Sequence, residues 1–469
     1  MRRVSTIDVA VTLLAVAWTV LYVALSVLQY ETGHNASFDL ALYARSLWGI
    51  AHGVPFNPLR DQHALALHSH LILYLLAPLT KLVSPVYLLL TLQAISLGGA
   101  GLVLYTISKR RLGSQPLAAC VALSYFFYPV AANTSLFDMH PKTLAMMPIL
   151  WVLDGLDRNP DTVRSLSKAA AWMLLCFACR EDIAICFAVV GVYWLLMLRR
   201  VRAGLLLVIL STAFFFFYEL VVRPALGADF ASMQAHFGAL KLAAALDQAD
   251  VVYILLLLGG FAFLPLLGLR FAIGAAVPIA INILSDFAQT NSIQSHYAFL
   301  ALPFLAMGAV YGLSRLDAAP KLQPVATAGM LVAAIAVGVF GSVGPGGRSF
   351  DSERFTHSES SRAVQTCIDA IPREAGVYAP VQWAAHLADR PVIRHTFGSV
   401  EQIATLDSVL LERAPIPYFA RADGYAQYMA QRRRQIALLQ QTQRFAIAER
   451  CEPYVLLKRG GLKRWMQRR

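Results

Sequence analysis

The chain has 469 residues, of which 57% are hydrophobic and 14% are charged, and its formal net charge is +12. Soluble domains average about 25% charged residues, so this composition excludes an ordinary soluble protein and predicts many membrane spans. The basic C-terminal end, with Arg432-Arg433-Arg434 and Lys463-Arg464, favours a solvated or lipid-facing helix over a nucleic-acid site.

Apolar stretches long enough to cross a bilayer recur along the first three quarters of the chain. The first follows Arg2-Arg3 and has no obvious cleavage site, so it predicts an uncleaved signal anchor. Basic loops then order eleven spans by the positive-inside rule, with the N-terminus in the cytoplasm. The spans are expected at about 8–28, 86–108, 116–132, 143–157, 169–179, 183–198, 204–222, 251–268, 271–285, 297–314 and 324–343.

The first outer segment, 29–85, is too apolar for an ordinary loop. On a helix over 38–52, the apolar residues share one arc, while Asp39, Arg45 and Ser46 fall on the opposite arc. This pattern predicts a juxtamembrane helix that lies along the membrane surface. Counting 65–83 as a span would invert every later loop, so we interpret it as a second horizontal or re-entrant element.

Asp39 lies in the first turn of that helix, and Ser37 could cap it. One interpretation is structural, because a carboxylate in the first turn complements the helix dipole. The other is catalytic, because an interfacial helix could hold Asp39 as a general base over a lipid-linked substrate. The sequence leaves both open.

A second polar cluster, Asp138, His140 and Lys142, lies in the loop between the third and fourth spans. Asp138 and His140 could share a proton or a divalent metal, and Lys142 could meet a phosphate. A short loop also needs polar residues merely to turn. No strong metal motif is present, so the sequence leaves the cofactor open.

Arg180-Glu181-Asp182 interrupts two apolar stretches, each too short to span a bilayer. Ionisable groups at membrane depth usually face a cavity and serve a function. The three charges could neutralise one another and stabilise helix packing. Alternatively, Arg180 binds a phosphate while Glu181 or Asp182 orients it. His296 and Tyr297 open the tenth span, and the topology puts all these clusters on the same outer side.

The composition changes after residue 343. We predict a transmembrane domain at 1–343, a linker at 344–361, and a small mixed α/β extracytoplasmic domain at 362–469 with a basic tail. Strands are expected at 377–380, 392–395, 406–411 and 454–458, and helices at 381–389 and 425–443. Cys367 and Cys451 are the only cysteines of this domain and are expected to form a disulfide.

Four short motifs, in this order and at this spacing, resemble a bacterial family of predicted membrane proteins known as domain of unknown function 2079. The motifs are Ser37-Phe38-Asp39-Leu40, Phe137-Asp138-Met139-His140-Pro141, Cys179-Arg180-Glu181-Asp182-Ile183-Ala184 and His296-Tyr297. That family often has an acidic residue at the position of Lys142, so the lysine weakens a metal role there.

The family's layout is similar to the GT-C superfamily of membrane glycosyltransferases. The resemblance implies a sugar transferred from a polyprenyl-phosphate donor to an acceptor at the outer face of the inner membrane. Asp39 would then be the catalytic carboxylate, and Asp138, His140, Lys142, Arg180, Glu181, Asp182, His296 and Tyr297 would bind the substrate and its phosphate. A transporter or lipid flippase, or a non-catalytic scaffold of the cell envelope, is the alternative.

Overall fold

The computed structural model describes residues 5–34, 38–228, 246–285, 287, 289–319, 321–416 and 424–460. Ser37, His236 and the basic Lys463-Arg464 therefore lie outside the described residues. The chain divides into two compact units. The first comprises Met1–Ser26, His63–Leu75 and Leu89–Asp351, and the second comprises Val27–Gln62, Leu76–Leu88 and Ser352–Arg469. The predicted domain boundaries stay a prediction.

Most of the predicted spans correspond to helices, six of which are long and apolar enough to cross a membrane. These six are Thr6–Glu31, Pro85–Leu112, Val201–Ala225, Leu264–Leu284, His296–Ala318 and Leu322–Gly341. A seventh candidate is the pair Gln115–Phe127 and Pro129–Leu136, bent by 41°. Tyr128 is extended and Pro129 lacks an N–H, so the helix breaks between them. The chain is thus a helical membrane protein.

Four further helices coincide with predicted spans but are shorter. Met146–Arg158, Val163–Cys179, Asp182–Leu196 and Gln248–Gly259 contain 12 to 17 residues each. At about 1.5 Å per residue, they rise only about 18–26 Å, less than a full hydrocarbon core. The predicted total of about eleven spans stays a prediction.

The first outer segment contains no helix of spanning length among its described residues. Residues 65–83 contain only the short helix Ile72–Leu76 and a 3-10 turn at Ala77–Lys81, besides irregular chain. Two short strands, β1 (Phe56–Asn57) and β2 (Gln62–His63), also lie in this region.

The helix predicted at 38–52 is present at Asp39–Ala51, but its predicted polar arc is wrong at two positions. Arg45 is only 1% exposed and donates to the carbonyl oxygen of Pro391 at 2.9 Å. Ser46 is also buried, and its Oγ accepts from Asn57 Nδ2 at 2.8 Å. The face of the helix that the sequence pattern predicted to be exposed to water is therefore packed against other residues of the second unit.

The C-terminal part of the second unit contains a five-stranded sheet in the order β4-β3-β5-β7-β6. Its strands are β3 (Val377–Tyr378), β4 (Ile393–Arg394), β5 (Ser408–Glu412), β6 (Phe445–Cys451) and β7 (Tyr454–Arg459). Strand β3 pairs in parallel with β4 and β5, whereas β7 pairs antiparallel with β5 and β6. The domain also contains helices Glu359–Asp369, Val400–Ile403 and Tyr425–Gln441. The helix predicted at 381–389 is present as Val381–Ala384, followed by a 3-10 turn at Ala385–Leu387.

Four of these strands lie where the sequence predicted them, whereas β6 was not predicted. Most of β6 is exposed because it forms an edge of the sheet, and it carries Glu449 and Arg450. The domain core contains Tyr378, Val409, Leu439 and Val455 among its members. A disulfide joins Cys367, in helix Glu359–Asp369, to Cys451 at the end of β6.

His386 is an unusual titratable group of the second unit. Its ring stacks on Tyr30 with 4.0 Å between centroids and lies 4.9 Å from the ring of Trp383. Both ring nitrogens are buried, and neither has a hydrogen-bond partner among the described residues. Burial lowers the pKa of His386 from 6.5 to about 3. The folded unit therefore holds this side chain neutral.

We expect the second unit to lose stability as the pH falls below about 6.5, because the unfolded chain then binds a proton that folded His386 does not take up until about pH 3. At pH 5 this single group lowers the free energy of unfolding by about 2 kcal/mol. Replacing it by phenylalanine keeps a ring between Tyr30 and Trp383 and should remove that part of the loss.

The measurement is the thermal unfolding midpoint of the full chain at pH 7.5 and pH 5. The difference between the two midpoints should shrink in His386→Phe. It should stay as in the unmodified protein in His52→Phe, because His52 is exposed. An equal decrease of the unfolding midpoint between pH 7.5 and pH 5 in all three proteins would contradict the role of His386.

Candidate functional site

The first unit brings together most of the predicted site residues in one buried group, here called the histidine–arginine cluster. Its members come from the 63–75 segment, the loop after the bent helix, the junction between Val163–Cys179 and Asp182–Leu196, the end of the Val201–Ala225 span, and the start of the His296–Ala318 span. They are His68, His70, Asp138, His140, Lys142, Arg180, Glu181, Asp182, Glu219, Arg223, His296 and Tyr297. All but Asp182 and Tyr297 are buried.

Glu181 has polar partners at both of its carboxylate oxygens. His68 Nδ1 lies 2.6 Å from Oε1, and the backbone N–H of Ser69 donates to Oε2 at 2.9 Å. Arg223 approaches Oε1 at 3.5 Å and also pairs with Glu219 at 2.9 Å. Both oxygens of Glu181 are therefore occupied. This carboxylate fixes the 68–70 segment to the helix junction.

Arg180 and Asp182 form a separate pair, with 3.0 Å between Nε and Oδ2. Arg180 ends helix Val163–Cys179 with an extended backbone, and Asp182 begins the next helix. The side chain of Asp182 is 24% exposed, against 10% for Arg180. The three charges thus do not form one closed set, because Glu181 turns to His68 and Arg223 while Arg180 pairs with Asp182.

The 137–142 loop and the start of the His296–Ala318 span meet through their rings. His140 stacks on His296 with 3.7 Å between centroids, and His296 lies 4.0 Å from Tyr297. Lys142 Nζ lies 5.7 Å from the centre of the Tyr297 ring. Gln93 Oε1 accepts from the backbone N–H of His140 at 3.1 Å and so fixes the loop to helix Pro85–Leu112.

The protonation state of two histidines of the cluster, His70 and His140, follows from their burial. Burial lowers the pKa of His70 well below 6.5, and so does the neighbouring His68. Burial also lowers the pKa of His140, and the positive charges of Lys142 and Arg180 lower it further. These histidines are therefore neutral at pH 7. Arg180 therefore lies close enough to the 137–142 loop for its charge to act on His140.

Two cluster members, Glu219 and Arg223, were not predicted, whereas His68 and His70 are polar residues of the first outer segment whose spacing with His63 matches no recognised zinc site. His68 and His70 lie in a segment without helical or strand periodicity, and Glu219 and Arg223 lie at the end of an apolar span. A signal for the second pair existed, because two opposite charges four residues apart close a run otherwise free of charge after Arg202. The same kind of signal, charges that interrupt an apolar stretch, pointed to Arg180-Glu181-Asp182.

Asp39, the predicted catalytic residue, belongs to the second unit and begins helix Asp39–Ala51. The neighbouring Phe38 stacks on His395 with 4.8 Å between centroids, and the Arg60 guanidinium lies 4.7 Å from the Phe38 ring. Within the described ranges, no group of three or more His, Cys, Asp or Glu side chains is arranged to hold a metal ion.

The sequence profile of the predicted membrane protein family DUF2079 matches residues 34–455. The chain belongs to this family. No curated protein matches the DUF2079 chain. All four motifs that carried the resemblance lie within the matched residues.

The fold of this DUF2079 chain is similar to that of GT-C enzymes. ArnT from Cupriavidus metallidurans bound to undecaprenyl phosphate has a TM-score of 0.54 at 12% identity, covering 94% of this chain and 98% of that chain. The apo structure of the same enzyme gives 0.53 at 13% identity, with the same coverage. An oligosaccharyltransferase from Archaeoglobus fulgidus gives 0.41 at 12% identity, covering 92% of this chain and 72% of that chain.

We expect Arg223→Met to destabilise the first unit by about 3–5 kcal/mol, because it leaves the buried carboxylate of Glu219 without its cation and weakens the partners of Glu181. The check is the thermal unfolding midpoint in detergent. Arg202→Met, an exposed position on the same helix, should leave the midpoint nearly unchanged.

Adding Glu219→Gln to Arg223→Met should recover part of the loss, since the uncompensated carboxylate is then gone. Strictly additive losses in the double variant would show that the two side chains are not coupled, contrary to the structure's ion pair.

Proposed function

We propose that this protein is a GT-C-type glycosyltransferase that moves a sugar from a polyprenyl-phosphate donor to an acceptor at the outer membrane face. The observation that carries the proposal is the gathering of Lys142, Arg180 and Arg223 with histidines and carboxylates in the first unit. The fold supports it, because ArnT of similar fold was crystallised with undecaprenyl phosphate.

In the proposed reaction, the bond between the sugar's anomeric carbon and the donor's phosphate oxygen breaks. A bond forms from the acceptor's hydroxyl oxygen to the same carbon. The hydroxyl proton passes to Asp39, and the electron pair of the broken bond leaves with the polyprenyl phosphate. Arg180 stabilises the negative charge that develops on this phosphate, with help from Lys142.

The charges of the cluster constrain how a phosphate enters. The cluster contains three cationic side chains, Lys142, Arg180 and Arg223, and four carboxylates, those of Asp138, Glu181, Asp182 and Glu219. A phosphate that simply adds to this set meets net repulsion. The proposal therefore requires it to replace a carboxylate, and Asp182 is the best candidate. It is more exposed than Glu181 and Glu219, whose side chains are 4% and 5% exposed.

Substitutions of the two paired residues, Arg180 and Asp182, should accordingly differ in their effect on phosphate binding. Arg180→Gln should weaken binding of undecaprenyl phosphate by about 10-fold or more, since a charge-assisted hydrogen bond is worth about 1.5–3 kcal/mol. Asp182→Asn should leave binding unchanged or strengthen it, because the competing charge is removed.

Titration of the purified chain with undecaprenyl phosphate in detergent measures both effects. Arg164→Gln is the control, because Arg164 is an exposed arginine on the same helix as Cys179. Weaker binding in Asp182→Asn, or unchanged binding in Arg180→Gln, would reject the phosphate role of this pair.

The role of Asp39 rests on the resemblance and is tested separately. Asp39→Asn should lower transfer by about 10²–10⁴-fold, the usual contribution of a general base, while folding and membrane insertion stay intact. Asp61→Asn changes an exposed aspartate of the same outer segment and should transfer normally.

The measurement is the glycolipid and envelope-glycan profile of cells whose own gene is deleted and replaced by each variant. Profiles that are identical for the deletion, Asp39→Asn and the unmodified protein would reject sugar transfer. Ion-dependent uptake into proteoliposomes under the same conditions would instead support a transporter.

A further inference from the structure

The first unit contains a second group of charged side chains, which lie at or near the ends of several of its helices. Arg111, Arg200 and Arg270 all pair with the single carboxylate of Asp157, the last two at 2.9 Å. Asp154 likewise pairs with Arg110 and, at 3.6 Å, with Arg158. We call this the five-arginine cluster. It consists of Arg110, Arg111, Arg158, Arg200 and Arg270.

The five-arginine cluster lies at the other ends of the helices that carry the histidine–arginine cluster. Helix Val163–Cys179 runs from just after Arg158 to Arg180, a rise of about 25 Å over its 17 residues. The span Val201–Ala225 runs from just after Arg200 to Arg223 and beyond. The two clusters are thus distinct sites of one unit.

The charges of this cluster do not balance. Five guanidinium groups face two carboxylates, which leaves an excess of three positive charges. Asp161, which acts electrostatically on Arg200, would reduce the excess only to two. Arg110 and Arg158 are the outer members, with side chains 38% and 49% exposed. The three arginines on Asp157 are more covered, with exposed fractions of 18% for Arg111, 24% for Arg200 and 10% for Arg270, against 4% for Asp157 itself. Three partly buried cations on one buried carboxylate are costly without a further anion.

The remaining hydrogen-bonding capacity also points to a missing acceptor. The Nε atoms of Arg111 and Arg270 are buried and have no hydrogen-bond partner among the described residues. The Arg270 guanidinium lies 4.6 Å from the centre of the Tyr311 ring, and that of Arg200 lies 5.3 Å from Trp194. These rings favour a cation nearby, and the Tyr311 hydroxyl is a hydrogen-bond partner of Arg270, but a neutral hydroxyl and an indole do not balance the positive charge.

We propose that the five-arginine cluster binds the phosphate of an anionic phospholipid headgroup. Phosphate suits guanidinium groups because its oxygens accept paired, charge-assisted hydrogen bonds. The cluster lies at the ends of helices that are long and apolar enough to cross a membrane, which is where headgroups lie, and basic pockets between spans bind such lipids. A lipid is therefore favoured over free phosphate. This site is separate from the proposed sugar-transfer site.

The test uses the full chain purified in neutral detergent. Phosphatidylglycerol should raise its thermal unfolding midpoint by about 2–4 °C or more, and phosphatidylcholine should not. Native mass spectrometry should show phosphatidylglycerol retained on the protein. An equal rise with phosphatidylcholine would overturn the proposal, and so would an equal rise with inorganic phosphate at the same concentration.

Arg270→Gln should lose the phosphatidylglycerol shift and the retained lipid. Its lipid-free midpoint should not fall much, because Asp157 keeps two other arginines and the charge excess becomes smaller. If that variant does not fold, Arg200→Gln at a more exposed position replaces it. Arg164→Gln changes an exposed arginine outside the five-arginine cluster and should keep the shift. Retention of the full shift in both cluster variants would overturn the proposal.

Discussion

The need to satisfy Glu181 determines much of the first unit. A carboxylate buried between apolar helices is costly unless both oxygens find donors, and here the donors come from far along the chain. His68 lies 113 residues before its partner, and Arg223 lies at the end of a different span. The 68–70 segment, the helix junction and the end of the Val201–Ala225 span are thereby fixed together.

The two charged groups of this unit differ in balance rather than in kind. In the histidine–arginine cluster, three cations are matched by four carboxylates, and the histidines stay neutral. In the five-arginine cluster, five guanidinium groups exceed the two carboxylates of Asp154 and Asp157. A balanced set can exchange partners at small cost, whereas an unbalanced buried set retains an anion. The near balance of the histidine–arginine cluster suits a site that binds and releases a substrate, as in the proposed sugar transfer. The excess of arginines in the five-arginine cluster suits the stable binding proposed for a lipid headgroup.

The sequence predicted those features that a local pattern encodes. Arg180-Glu181-Asp182 was visible because these charges interrupt an apolar run. Four of the five C-terminal strands were predictable because apolar residues that favour strands lie between turn residues. Features set by tertiary packing were not predictable. Arg45 lies on the polar arc of its helix, yet Pro391, 346 residues away, supplies its acceptor. Strand β6 reads as polar because it is an edge strand.

The near balance of the histidine–arginine cluster bears on how a transferase of this kind could turn over. A site with a large excess of positive charge would hold the leaving polyprenyl phosphate as firmly as it stabilises the transition state. Uniform tight binding of that sort slows release without raising the rate of the chemical step. Asp182 offers a different solution, because its partly exposed carboxylate can form the ion pair with Arg180 again when the phosphate leaves. In the proposed reaction the same carboxylate that competes with the donor therefore also drives release of the product.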